Sequence, residues 1–136
     1  MDENKDGKLT SYVKFKTNFG IEKYLSLLKS PEHRKNFARL RISAHRLRIE
    51  QGRYQGTPRQ NRTCIRCSSH EVDDEKHFLF SCKSSILKRN VIDKTVNDCC
   101  PNFRLLNQDE KLIWICNVEN NDILVQICEL IKESNI

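Results

Sequence analysis

A chain of 136 residues, with a net charge of +6 and 31% charged against 38% hydrophobic side chains, is sized for one domain, or for one plus an appended module. Four glycines and three prolines exclude collagen-like and low-complexity classes and disfavour a turn-rich β-sandwich. No apolar run approaches the ~18 residues of a membrane span. The polar start MDENKDGKLT does not read as a signal peptide. An intracellular protein, nuclear or cytoplasmic, is therefore expected, with its seven cysteines reduced or metal-bound.

In chain order, Asp2, Asn4, Asp6 and Gly7 imitate the start of a calcium loop, but Val13 stands where the bidentate carboxylate belongs. No calcium site is expected there. Leu9 to Phe19 suggests a short helix, broken by Gly20. Ile21, Tyr24, Leu25 and Leu28 form one helical face. Ser30-Pro31 reads as an N-cap followed by proline at the first helical position. The spacing then predicts one amphipathic helix to about Ile49, with Phe37, Leu40, Ala44 and Leu47 on one side and Arg34, Arg41 and Arg48 on another. Gly52, Gly56 and Pro58 predict that Gln51 to Arg62 is a basic loop carrying one aromatic, Tyr54.

Between Arg34 and Arg66 ten basic residues face a single acid, Glu50, and nine of the ten are arginines. A solvated helix face usually interleaves both signs. So few acids, and a planar guanidinium suited to phosphate, point to nucleic acid as the partner. The expected contacts are Arg34, Arg41, Arg48, Arg53, Tyr54, Arg59, Arg62 and Arg66.

The most specific pattern follows: Cys64-Ile65-Arg66-Cys67, nine residues, His77, four residues, Cys82. Two thiolates two residues apart grip one ion from a tight knuckle, and Zn²⁺ takes four N or S ligands in a tetrahedron. Four protein ligands leave no open position, so one structural zinc is expected, held by Cys64, Cys67, His77 and Cys82. His70, three residues past Cys67, is the alternative nitrogen ligand. His77 is preferred because His-x4-Cys returns the chain to the ion. A segment with so few large apolar residues needs the metal to fold. Asp73-Asp74 is read as solvated or as capping a helix N-terminus.

Beyond Cys82, Ile86, Leu87, Val91 and Val96 mark a helix with Ser84 or Ser85 as its cap, ended by Cys99-Cys100-Pro101. Asn107 and Glu110 form a capping-box pattern opening a helix through Ile115. Glu119 to Ile131 gives a last helix with Ile123, Leu124, Ile127, Cys128 and Ile131 along its apolar face. The fold class expected is mainly α: a small helical domain with an embedded short CCHC zinc unit. Residues 1–50 form an N-terminal helical region, 51–83 the basic loop and zinc unit, and 84–136 a C-terminal helical region. No nucleophile signature, glycine-rich phosphate loop or paired-carboxylate pattern is present, so no enzyme and no small-molecule substrate are expected.

The run Arg46-Leu47-Arg48-Ile49-Glu50-Gln51-Gly52-Arg53-Tyr54, then Thr57-Pro58-Arg59, then Cys64-Ile65-Arg66-Cys67 and Asp74-Glu75-Lys76-His77-Phe78-Leu79-Phe80-Ser81-Cys82, resembles the zinc-binding segment at the C-terminal end of non-LTR retrotransposon reverse transcriptases. The likeness covers roughly residues 36–83, more weakly Lys111 to Trp114 and the last helix. It implies zinc on Cys64, Cys67, His77 and Cys82, and a role in binding template RNA or target DNA. Polymerase and endonuclease segments are absent from this sequence, so the activity of a whole element enzyme is not carried over. The other expectations are a zinc-stapled protein-interaction domain and a truncated copy without function.

Overall fold

The computed structural model describes residues 22–136. The calcium-like run from Asp2 to Val13 and the helix expected over Leu9 to Phe19 lie outside them. Among the described residues the chain is mainly helical, as expected, with no β-structure beyond one antiparallel bridge between Thr63 and Val72.

Helix α1 (Lys23–Leu27) is short, and α2 (Pro31–Arg41) starts as its sequence predicts. Ser30 Oγ accepts the His33 N–H at 3.3 Å, and Pro31 takes the first helical position, where its missing N–H costs nothing. The helix then stops at Arg41, not at Ile49. Ser43 adopts a φ of 60°, and its hydroxyl donates to Glu75 Oε1 at 2.6 Å. His45 Nε2 donates to the same oxygen at 3.0 Å, while its Nδ1 accepts the Leu47 N–H at 3.3 Å. Burial raises the Glu75 carboxyl pKa, but the His45 and Ser43 hydrogen bonds outweigh it and hold the group below its ordinary value. Tertiary hydrogen bonds thus replace the helical ladder between Ile42 and Leu47. The single basic helix expected from periodicity is corrected to two helices, and Arg34, Arg41 and Arg48 do not share one face.

The second piece, α3 (Arg48–Tyr54), includes residues expected to be loop. It ends where Gly56, at φ 74°, donates to Arg53 O at 3.3 Å, and Thr57 N donates to Gly52 O at 2.8 Å. That pair of bonds is a Schellman C-cap, which needs a left-handed residue and so favours glycine. Gly52 serves a different purpose, inside the helix. A Cβ there would sit 2.4 Å from Arg62 Cγ. Arg62 threads under α3, its Nε donating to Thr57 O at 2.8 Å and its Nη1 to Ile49 O at 3.2 Å. Gly52→Ala gains about 1 kcal/mol of helix propensity. It is still expected to destabilise, by about 1–3 kcal/mol, because overpacking displaces a side chain pinned at its far end. Urea unfolding checks this, and an unchanged or raised midpoint would show that Arg62 has room to move.

Helices α4 (Ile86–Cys99), α5 (Gln108–Cys116) and α6 (Asn121–Ser134) fall within a few residues of their expected spans. The capping box is present: Asn107 Oδ1 accepts the Glu110 N–H at 2.8 Å, and Glu110 Oε1 accepts the Asn107 N–H at 3.1 Å. Ser85 stands at the N-cap of α4, but its side chain caps nothing. Helix α6 is the hub of the core. It buries Ile123, Leu124, Ile127, Cys128, Leu130 and Ile131, and packs on α1, α2 and α4. The N-terminal and C-terminal helical regions therefore share one core. Cys128 sits in it as a small hydrophobe, its Sγ donating to His33 O at 3.3 Å.

Candidate metal centre

Three local structures bring four ligands to one point. The first is the knuckle, Cys64 to Cys67, where the Arg66 N–H donates to Cys64 Sγ at 3.4 Å. The second is a miniature hairpin. Asp73 N donates to Arg62 O and Cys64 N to Glu71 O, each at 2.9 Å, so the chain turns back over residues 65–70. His70 takes a φ of 60° within that turn and is exposed. The third is a π turn, His77–Ser81, closed by Cys82 N donating to His77 O at 2.7 Å. Asp74 starts this segment, accepting the His77 N–H on Oδ1 at 2.9 Å. Phe78 and Leu79 anchor it in the core. The wider π turn sets His77 and Cys82, five residues apart, toward one centre; such turns recur at functional sites.

Ligand atoms of Cys64, Cys67, His77 and Cys82 all lie within 4.8 Å of one another. His70 is not among them. Cys64 Sγ and Cys82 Sγ are 3.9 Å apart, and Cys67 Sγ and His77 Nε2 are 3.4 Å apart. Zn–S bonds of about 2.3 Å at tetrahedral angles separate two sulfurs by about 3.8 Å, and Zn–N bonds of about 2.0–2.1 Å place sulfur and nitrogen about 3.6 Å apart. These two separations are close to those of one tetrahedral ion, and the two sulfurs are far too distant for a disulfide. His77 Nδ1 lies 2.8 Å from Glu71 Oε2, so a proton on Nδ1 leaves Nε2 as the ligand atom. A carboxylate behind a histidine is the usual orienting partner of such ligands. Hydroxyls flank the thiols: Ser69 Oγ is 3.2 Å from Cys67 Sγ, and Ser84 Oγ is 2.9 Å from Cys82 Sγ. The Ser69 hydrogen bond chiefly holds the Cys67 thiol down at about 6, while burial pushes Cys64 up to about 11. A bound cation deprotonates a ligating thiol outright, which removes the second penalty. The four residues can hold one metal ion.

The expected nucleic-acid contacts divide. Arg41 and Arg62 are 2% and 3% exposed. Arg41 pairs with Glu22 at 3.0 Å and lies 5.2 Å from the centroid of the Tyr24 ring; Arg62 holds α3 from below. Their place on a basic surface is corrected: both guanidiniums hold the fold together from inside. Arg66 pairs with Asp73 and rests 5.3 Å from the Phe78 ring centroid, which leaves its side chain mostly covered. Arg34 and Arg48 are half-buried, Arg34 donating to Lys29 O at 2.9 Å. Arg53 is partly exposed, and Arg59 and Tyr54 are exposed. The structure also exposes Lys35, Arg39 and Arg46, which the sequence pattern counts as charge but assigns to no face. Lys35 and Arg39 are one helical turn apart on α2.

Asp73 and Glu75 are both buried, so the solvated reading of Asp73 is corrected. Among the described residues no helix is long and apolar enough to cross a membrane. The chain matches no protein-family model, no curated protein and no solved structure.

Proposed function

We propose that the chain is a zinc-stabilised nucleic-acid-binding module, without catalytic activity, related to the zinc-binding segment of non-LTR retrotransposon reverse transcriptases. The observation that carries this reading is the closed four-ligand cluster of Cys64, Cys67, His77 and Cys82, backed by Glu71. Three sulfurs and one imidazole form a donor set soft enough for zinc, and calcium and magnesium prefer oxygen. With every position filled by protein, the ion acts on folding and not on a substrate. The exposed cations between residues 34 and 66 are Lys35, Arg39, Arg46 and Arg59. Such a surface attracts a polyanion and releases its counterions.

The double variant Arg39→Gln/Arg46→Gln is expected to bind RNA and DNA more weakly, regardless of sequence. Its log-affinity against log-salt slope should flatten by roughly one unit for each phosphate that the missing guanidiniums would have neutralised. Fluorescence anisotropy over a salt series measures both. A parent that binds no nucleic acid at low salt overturns the reading.

One observation favours a second reading, a zinc-stapled protein-interaction domain. Leu87 and Val91, one turn apart on α4, are 80% and 57% exposed. An apolar interface there would be insensitive to the same salt series.

A further inference from the structure

At the C-terminal end of α3, Tyr54 is 71% exposed, an unusual placement for so large a ring. Its position is set by the way the helix ends. The Schellman cap at Gly56 ends the helix one residue beyond Tyr54 and turns the chain away. A Cβ at Gly56 would meet nothing within 4 Å, so the space beside the turn is open. Arg53 Cζ lies 4.5 Å from the Tyr54 ring centroid. Arg53 is itself held: its Nε and Nη2 donate to the two Glu50 carboxylate oxygens at 3.2 and 3.3 Å. Glu50 is 4% exposed and cannot drift. Among the described residues no other ring stacks on Tyr54.

We infer that Tyr54, backed by Arg53, is a stacking platform for an unpaired base, which makes single-stranded nucleic acid the class of ligand. The inference rests on the nucleic-acid reading above and deepens it. A flat π face, pre-stacked on a guanidinium and standing clear of the surface, matches the one feature every base shares. Stacking on it demands a base with an open face. A duplex offers none, since its bases are already stacked and its grooves present only edges and backbone. Arg53 keeps its Nη1 donors outside the Glu50 pair, and these suit the phosphate of the stacked nucleotide. The arrangement carries no hydrogen-bond code for one base, so the preference is for strandedness and not for sequence.

Full-length protein, loaded with zinc, is titrated with fluorescein-labelled oligouridylate, oligothymidylate and a hairpin-closed RNA duplex, and intrinsic tyrosine quenching is followed alongside. Tyr54→Ala is expected to weaken both single strands about five- to one-hundred-fold and leave the duplex within about twofold. Tyr54→Phe should retain parent affinity, since stacking needs the ring and not the hydroxyl. Comparing oligouridylate with oligothymidylate distinguishes RNA from DNA as the source of the base. Equal losses for single strand and duplex, or no loss for any, overturn the platform while nucleic-acid binding stands. A parent that binds none of the three probes overturns the platform together with the reading beneath it.

Discussion

Cys82→Ser is expected to release the metal and, with it, the order of residues 62–82. The unit's apolar core is small. Its large buried apolar side chains are Phe78 and Leu79. Two such side chains are a small core for a unit of this length, and in finger peptides a structural zinc supplies the folding energy outright. Serine keeps the shape of Cys82 but is a poor zinc ligand, and the ligand it replaces is 1% exposed, in the centre of the site. Elemental analysis should give one zinc per parent chain and far less for Cys82→Ser. Hydrogen exchange should show residues 62–82 opening while the α6 core stays protected. Cys128→Ser is the control. It too loses a buried sulfur, but in the helical core and away from the site, so metal content should be unchanged. Parent protein that folds with no metal, or equal metal loss in both variants, would falsify the assignment.

The legible part of this fold is the part governed by short-range rules. The α2 start, the α5 capping box and the apolar stripe of α6 each depend on residues within one or two turns, and each stands where the sequence places it. The ligand quartet is legible for the same reason: a tetrahedral site restricts both residue type and spacing. Glu71 behind His77 is not, because the hairpin that brings it there is set only when the chain turns back at His70. The break after Arg41 is hidden as well. Nothing in Ile42 to Leu47 forbids a helix; Glu75, some thirty residues on, captures Ser43 and His45 and outweighs local propensity. The arginines show the limit of counting charge. Composition cannot tell Arg62, whose stem lies where a Gly52 Cβ would go, from Arg46 in water. Gly52, which the sequence reads as a helix stop, is what makes room for the Arg62 stem.

Asp73→Ala is expected to destabilise the protein by about 3–5 kcal/mol, the usual cost of leaving a buried charge unpaired. Asp73 is 2% exposed and joins the metal-ligand unit to the helix before it. Leu47, at the N-cap of α3, has no side chain able to accept the first N–H groups. Asp73 supplies the cap from 25 residues downstream, its Oδ2 accepting the Arg48 N–H at 2.9 Å and its backbone carbonyl the Ile49 N–H at 3.0 Å. Its Oδ1 pairs with Arg66, which lies in the knuckle between two ligands. Alanine strands both donors. Asp73 is thus a cap, as its sequence context suggests, but the helix it caps is upstream. Asp73→Asn keeps an acceptor for Arg48 and loses the charge opposite Arg66, so a smaller loss, about 1–3 kcal/mol, is expected. Arg66→Met in the Asp73→Ala background removes the stranded cation and should recover part of the stability, which gives a favourable coupling energy in the double-mutant cycle. Denaturant unfolding at saturating zinc measures all three, since excess metal keeps the site filled while the cap is tested. A loss under about 0.5 kcal/mol for Asp73→Ala is what a solvated surface carboxylate would give. That outcome would mean the metal-ligand unit and α3 are not joined through this residue.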